Sequence, residues 1–469
     1  MEDGDADRGT SEDENNVQGN GGMFATINSI VGMTQKRMSS MLGWAEAVAE
    51  VEVEEYEGEE EANETERDAD VEERLGLLQL AKRYVGSDVQ SLMSIPVWLM
   101  EPFTNLQKMA EIMEYSHLLD KAATCEDEFE RMAWVAAFFV SPYAANERTY
   151  KPFNPILGET FEYYDGNALF YLAEQVSHHP PVAAAHAENK GSGWVYDIVS
   201  APQSKFLGNS VEVYPHGRSR VRLERTGELF WLRPPNSKAH NVLVGRTWVD
   251  SYGEMVLKNV TTGSECIMTF SPCGWFGAGR YDLKGYISDK EGRKRLLLTG
   301  RWNQDTYCVA CNEEGEPLPE EEYKPLWIAK PLPAGDVYGF TEFAHELNAW
   351  AQEGEPLLSD SRRRPDREFL ARGLSAEAQS EKVRIEEKQR AERKEREGRG
   401  DKWTPRWFGW DSDPLVFDGE CALELVDPWM WNGSFRKKVS PEHRRDDAAS
   451  EGGDEVLGAS FCPWQYNDE

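Results

Sequence analysis

The sequence predicts a mainly β protein with α-helices at both ends, in which a long antiparallel meander curls on itself into a wide barrel. Three observations lead there. Beyond Pro152, short runs such as Val211-Glu212-Val213, Arg220-Val221-Arg222-Leu223-Glu224 and Cys266-Ile267-Met268-Thr269-Phe270 alternate with the two-residue period of half-buried strands. His216-Gly217 and Thr262-Gly263 supply turns between neighbouring runs. Before Pro152 and beyond Tyr338 the period is helical instead. A barrel of many strands is too wide for its own side chains to fill, so its interior becomes a ligand cavity.

Taken in order, the first 72 residues form an acidic extension, expected to be largely disordered because it is poor in β-branched residues and cannot bury enough apolar surface. Within it, Phe24, Ile27, Ile30, Val31, Met38, Met41 and Leu42 recur at helical spacing, which predicts an amphipathic helix over 23–44. It suits a membrane surface or the globular domain equally. A second amphipathic segment runs from Arg74 to Val85 and stops at Gly86. Helical patterns cover Pro96 to Ala123 and Glu126 to Phe139. After the strands, helices return at Phe340 to Gln352 and, past a Pro/Arg-rich linker at Ser359 to Arg367, at Ala376 to about Arg399. Trp403, Pro405, Trp407 and Phe408 read as an aromatic segment folding back on the core. Residues 436–469 read as a flexible polar tail.

The net charge of -33 argues against a general nucleic-acid binder, because phosphate recognition there needs an extended basic surface. Any phosphate ligand must meet a local basic pocket. Seven cysteines, an odd number, and no apolar leader fit a reducing cytosol. The longest apolar stretch, Met132 to Ala145, is broken by Ser141-Pro142 and falls short of the roughly 20 residues of a spanning helix, so it reads as a buried helix.

Three constellations carry chemistry. In Glu174-Gln175-Val176-Ser177-His178-His179-Pro180-Pro181, the prolines disfavour helix and hold two imidazoles extended, as a pocket for an anionic head group requires. Lys151-Pro152-Phe153-Asn154-Pro155-Ile156-Leu157-Gly158-Glu159-Thr160-Phe161 describes a rigid loop presenting an ammonium and an amide. Lys382, Glu386 and Arg390 fall at i, i+4 and i+8, along one helix face, a spacing that solvated surface helices share.

Together these motifs resemble the oxysterol-binding protein family. The octapeptide Glu174 to Pro181 matches its signature residue for residue. The resemblance extends through Gly86-Ser87-Asp88, Ile95-Pro96-Val97, Glu101-Pro102 and Gly245 to Met255, from about Leu75 to about Phe408. It implies an incomplete antiparallel barrel enclosing a hydrophobic tunnel, with a central helix from Trp134 to Val140 and a C-terminal helical subdomain. A helical lid over about 73–97 and a lipid-binding domain over 73–435 are also implied. For the site, it implies that Lys151, Asn154 and the Phe153 backbone, His178, His179, Lys382 and Arg390 bind the head group of phosphatidylinositol 4-phosphate. Glu386 would position Lys382 or accept from an inositol hydroxyl. The second ligand would be a sterol or another lipid such as phosphatidylserine. No cofactor is implied.

The function expected is extraction and exchange of these lipids between organelle membranes, by a cytoplasmic protein peripheral at the endoplasmic reticulum or Golgi with transient membrane contact. A lipid-dependent sensor or scaffold would use the same pocket. The extension is too short and acidic for the pleckstrin-homology or ankyrin regions of longer members, so a short form is expected. An endoplasmic-reticulum adaptor remains a candidate partner through the acidic tract Glu54 to Glu61, which lacks paired aromatics. An enzyme is not expected: Ser177 and the histidines stand too close in an extended segment to face one another, and no Gly-x-Ser-x-Gly elbow occurs. His178, His179 and His186 are poorly spaced for zinc, and Cys308-Val309-Ala310-Cys311 is a single pair.

Overall fold

The structure, a computed structural model, describes residues 85, 95–243, 245–350, 356–410, 429–435 and 461–465. The expected helix at 23–44, the tract at 54–61, all of the expected lid but Val85 and 95–97, and most of 436–469 lie outside the described residues.

From Pro96 the chain departs from the helical expectation. After a 3-10 turn it forms strand β1 (Met100–Thr104), which pairs in parallel with β2 (Lys151–Phe153), Met100 opposite Lys151. Pro102 explains the break, since its ring removes a backbone donor that a helix interior would use. Thr104 then starts α1 (Asn105–Ala110) with a capping box, its hydroxyl accepting from Gln107 N while the Gln107 side chain accepts from Thr104 N. Helices α2 (His117–Thr124) and α3 (Glu128–Val140) follow, the latter capped by Asp127. From Met132 onward α3 is apolar on nearly every side, as suits a helix wrapped by protein rather than resting on a surface.

The strands are β3 (Thr160–Tyr164), β4 (Leu169–His178), β5 (Pro181–Asn189), β6 (Trp194–Ser200), β7 (Gln203–Phe206), β8 (Ser210–Tyr214), β9 (Gly217–Leu223) and β10 (Glu228–Arg233). They continue as β11 (Asn236–His240), β12 (Trp248–Asn259), β13 (Glu265–Phe270), β14 (Asp282–Ser288), β15 (Lys294–Arg301), β16 (Asp305–Ala310) and β17 (Lys324–Ile328). Among the described residues these form one 15-stranded antiparallel sheet, ordered β17-β16-β15-β14-β13-β12-β10-β9-β6-β5-β4-β3, with β7, β8 and β11 forming a flap off that path. The end strands β3 and β17 do not pair with each other, so the barrel is not closed.

Thr262-Gly263 joins paired β12 and β13, but His216-Gly217 does not join paired strands: β8 pairs with β7 and β11, β9 with β6 and β10. Gly217 serves close approach instead. Opposite Ser200, with φ +132°, it leaves only 2.0 Å between an added Cβ and the Val199 carbonyl oxygen. A turn signal states that the chain reverses, not which strand it meets.

The inner face of the sheet, including Phe230, Met255, Leu257, Met268 and Phe270, packs with Val135, Phe138 and Phe139 of α3 in one core. Strands β4 and β5 are buried on both faces. Their outer residues Leu172, Val176, Val182 and Ala184 lie under Trp407, Phe408 and Phe435, where β18 (Phe408–Trp410) pairs with β19 (Trp429–Trp431). Covering both faces explains why these strands read as nearly continuous apolar runs.

Beyond the sheet lie α4 (Glu342–Asn348), α5 (Pro365–Ala371) and α6 (Ser375–Arg399). Ser359 to Arg367, expected as a linker, is instead largely buried. Asp360 binds Arg362 through both carboxylate oxygens at 2.8 and 2.9 Å, and Asp366 binds Arg364 at 2.7 and 2.9 Å. Arg362 also donates to the Glu162 carbonyl at 2.7 Å. Alternating arginines and aspartates neutralise one another here, and that mutual pairing is what permits their burial.

Candidate functional site

The loop after β2 places two of the expected residues together. Lys151 Nζ donates to Asn154 Oδ1 at 2.6 Å and to the Pro152 carbonyl at 3.0 Å. The Phe153 side chain turns away, buried with Val97, Met100, Leu370 and Ala378 beneath the Arg364 guanidinium. Arg364 Nη1 donates to the Asn154 carbonyl at 2.7 Å and to Glu159 Oε2 at 3.0 Å, while Glu159 also accepts from Ile156 N. Gly158 completes the loop at φ +78°, where an added Cβ would lie 2.7 Å from the Trp403 ring.

His178 and His179 occupy the tight turn between β4 and β5, with His178 opposite Pro181 and a cis peptide at His179-Pro180. Ser177 Oγ donates to the Pro180 carbonyl at 2.8 Å and Gln175 Nε2 to the Ser177 carbonyl at 2.6 Å, so both polar side chains brace the turn. The imidazoles meet edge to face at 4.9 Å. Glu174 is fully buried and accepts from Arg406 N and Trp407 N, each at 2.9 Å. It fastens the returning aromatic segment rather than orienting a histidine, and burial pushes its carboxyl up to about 7.

Helix α6 supplies the third part. Lys382 is buried, its Nζ 2.5 Å from Glu386 Oε1, whereas Arg390 is 67% exposed and reaches Glu386 Oε2 at 3.3 Å. Gln389, one position off that stripe, joins all three segments. Its Oε1 accepts from Leu157 N at 3.1 Å, and its Nε2 lies 2.6 Å from His178 Nε2, so the amide donates to a neutral ring. Burial, then the neighbouring His179, pushes the His178 imidazole down to about 4. His179 is also lowered, by partial burial and then by Arg393, with Glu397 opposing.

Lys151 feels the same convergence. Burial first, then Lys382 and Arg364, pushes its ammonium down to about 7 against the pull of Glu386 and Glu101. The histidine turn stands between two cavities. One, about 240 Å³, is lined by His178, His179, Gln389, Arg390, Arg393 and Arg396. The other, about 230 Å³, has a more apolar wall of Met109, Pro142, Pro155, Ala183 and Pro202 beside Asn154 and Lys108.

The structure therefore gathers Lys151, Asn154, His178, His179, Lys382, Glu386 and Arg390 around one place, and it directs the Phe153 side chain elsewhere. Sequence reasoning missed Gln389, Arg393, Arg364 and Lys108. Gln389 was findable as the position three after Glu386, on the neighbouring stripe of the same helix. Nothing in the local sequence sets Arg364 apart from Arg362 and Arg363.

Other groupings lead elsewhere. His186 binds Asp197 at 2.7 Å and stacks on Trp431 at 4.1 Å. Cys308 belongs to the main core, whereas Cys311 packs on the opposite face with Leu297 and Val309. Among the described residues no three His, Cys, Asp or Glu side chains are arranged to hold a metal ion, and no helix is long and apolar enough to cross a membrane.

Known proteins share this architecture. The chain is 42% identical over 453 residues to oxysterol-binding protein-related protein 3C of Arabidopsis thaliana, covering 96% of this chain and 97% of that one. It is 34% identical to human oxysterol-binding protein-related protein 1 over 76% of this chain and 41% of that longer protein. Among solved structures, the Osh1 ORD domain in complex with cholesterol superimposes with a TM-score of 0.69 at 33% identity, covering 81% of this chain and 90% of that one. The Osh3 ORD of Saccharomyces cerevisiae in complex with PI(4)P gives 0.63 at 28% identity, over 79% and 93%. With the family model for oxysterol-binding protein matching residues 76–430, across the open sheet and the histidine turn alike, the chain belongs to the oxysterol-binding protein family.

Proposed function

We propose that this protein extracts phosphatidylinositol 4-phosphate from membranes, carries a sterol or other lipid within the curled sheet, and exchanges the two between organelles. The observation behind the head-group assignment is the meeting of cationic and hydrogen-bonding groups from three distant segments: the Lys151 ammonium beside a loop, the neutral imidazoles of the His178-His179 turn, and Lys382, Arg390 and Arg393 on α6. Half-buried Lys151 and buried Lys382 repel one another, and an anionic phosphate relieves that repulsion. Arg390 and Arg393 add charge-assisted donors from the exposed side. Glu386 holds Lys382 in place, and Asn154 holds Lys151. The Osh1 and Osh3 complexes, with cholesterol and PI(4)P, support the same pair of ligand classes.

The role is that of a carrier rather than an enzyme, since Ser177 is committed to the Pro180 carbonyl and Glu174 to the Arg406 and Trp407 amides. Its place of action is proposed as the cytoplasmic faces of endoplasmic reticulum and Golgi membranes. The test replaces both histidines with alanine and measures extraction of phosphatidylinositol 4-phosphate from liposomes. Extraction is expected to fall at least about tenfold, the scale of losing charge-assisted contacts. Extraction at the original rate would remove the histidine turn from the site. Native mass spectrometry of co-purifying lipid identifies the second cargo.

A further inference from the structure

The two histidines of the turn are held differently, and the difference comes from α6. His179 is exposed, whereas His178 is half-buried and its Nδ1 is shut off from solvent. Gln389 meets His178 through its amide nitrogen, Nε2 lying 2.6 Å from His178 Nε2. The same amide meets the loop after β2, where its Oε1 accepts from Leu157 N at 3.1 Å. The ring also faces the Pro155 carbonyl, an acceptor, without completing a hydrogen bond to it from Nδ1.

A side-chain amide can be turned end for end, so its partners decide its orientation. One partner here has no freedom. Leu157 N is a backbone donor in every protonation state, and it fixes the oxygen at that end of Gln389. The amide nitrogen therefore faces His178, and it can only donate. His178 Nε2 must accept, which puts the single proton of the ring on Nδ1. A second proton would set Nε2–H against the amide donors. Turning the amide over would set those donors against Leu157 N instead. Either way a partly buried hydrogen bond is lost.

The charges around the ring weigh the same way in the free protein. His179 beside it, Arg364 ahead of α5 and Arg393 on α6 all disfavour an imidazolium. Arg390, Lys394 and Arg396 line the same cavity as the ring, with Glu397 as its carboxylate, while Lys108 and Glu111 of α1 border the second cavity. An anion entering among these cations draws a proton toward the ring, and the amide contact then opposes it.

We infer that Gln389 is a positioning residue that fixes His178 as the neutral imidazole protonated at Nδ1 and keeps it neutral when an anionic head group enters. The second half rests on the head-group reading above; the first stands without it. The tasks are thereby divided: His178 supplies an oriented neutral ring, and charge compensation falls to Lys151, Lys382 and the arginines of α6.

The test is nitrogen-15 NMR of the full chain labelled at histidine, in which the paired ring-nitrogen shifts distinguish both neutral tautomers from the imidazolium. Loss of signals in His178→Gln identifies the ring. In the free protein His178 is expected to show the Nδ1–H pattern, unchanged from about pH 8 to about pH 5.5. Gln389→Glu keeps an acceptor for Leu157 N and offers a second one to the ring, so His178 should become an imidazolium, its midpoint rising by about two pH units or more. A merely structural role would not invert the protonation of the ring. Gln389→Met, with no polar end, should release the constraint and give a mixture of tautomers. Saturating the wild type with soluble short-chain phosphatidylinositol 4-phosphate at about pH 7.5 should leave the Nδ1–H pattern in place. An Nε2–H or charged ring in the free wild type, or a Gln389→Glu ring that titrates like the wild type, would overturn the assignment. A ring that charges on lipid binding would overturn its second half. Failure of the soluble lipid to bind would remove that half together with the head-group reading, while the free-protein spectrum still decides the tautomer.

Discussion

At Lys151, burial opposes the ammonium while an arriving phosphate favours it. With its free-state value near 7, this group takes up a proton when the head group binds above neutral pH. Affinity for a soluble head-group analogue is therefore expected to weaken as pH rises from 7 to 9, by at most about tenfold per unit, the limit for one proton. Titration calorimetry in buffers of different ionisation enthalpy measures that uptake. Lys151→Met should abolish it and weaken binding by about tenfold or more. The sign for stability is the reverse of a salt bridge: between pH 7 and 10.5 the folded state holds fewer protons than the unfolded chain, so this group's contribution to stability rises with pH. Lys151→Met should thus be the more stable protein at pH 7, with the gap in urea midpoint narrowing towards pH 10. The residue types of the site were legible because two prolines and a glycine announce a built loop. The shifted protonation was not, since it depends first on burial and then on Lys382 and Arg364, more than 200 positions away.

Among elements, α6 and the segment before it decide the shape of the pocket. Arg364 lies between Glu159 and Asp366 and holds the Asn154 carbonyl, so Arg364→Met strands two buried carboxylates. A loss of about 3–5 kcal/mol is expected in urea denaturation, together with weakened head-group binding. Within the stretch read as a polar tail, residues 461–465 meet this same region. Trp464 is buried against Ile156 and Ile385, its carbonyl accepts from Arg384 at 2.9 Å, and Phe461 lies against Trp403. Trp464→Ala is expected to cost about 3 kcal/mol and to reduce head-group affinity, because the loop and α6 lose their shared neighbour. Composition gave opposite impressions of these pieces. Arginine and aspartate look solvated until they are paired with one another, and Phe461 and Trp464 in a polar tail look stray until a cleft is found for them.

At the scale of the whole molecule, the sheet around α3 is open, and we propose the amphipathic pattern from Arg74 to Val85 as its cover. Deleting that segment is expected to slow lipid transfer in a two-liposome assay while leaving the melting temperature within a few degrees of the parent. An undiminished transfer rate would count against a lid. The sequence by itself determined the class of structure, strands between two helical regions, because side-chain periodicity is a local property that burial on one face imposes. It also determined the family, and it named the proposed head-group residues, because those lie in short local motifs. Only the tertiary structure decided that the β8–β9 connection leads from a flap back into the main sheet, that Ser359 to Arg367 is largely buried, and that Gln389 ties His178 to Leu157. Pairing partners and buried charge are settled by which surfaces meet across the chain, and a linear pattern does not encode that meeting.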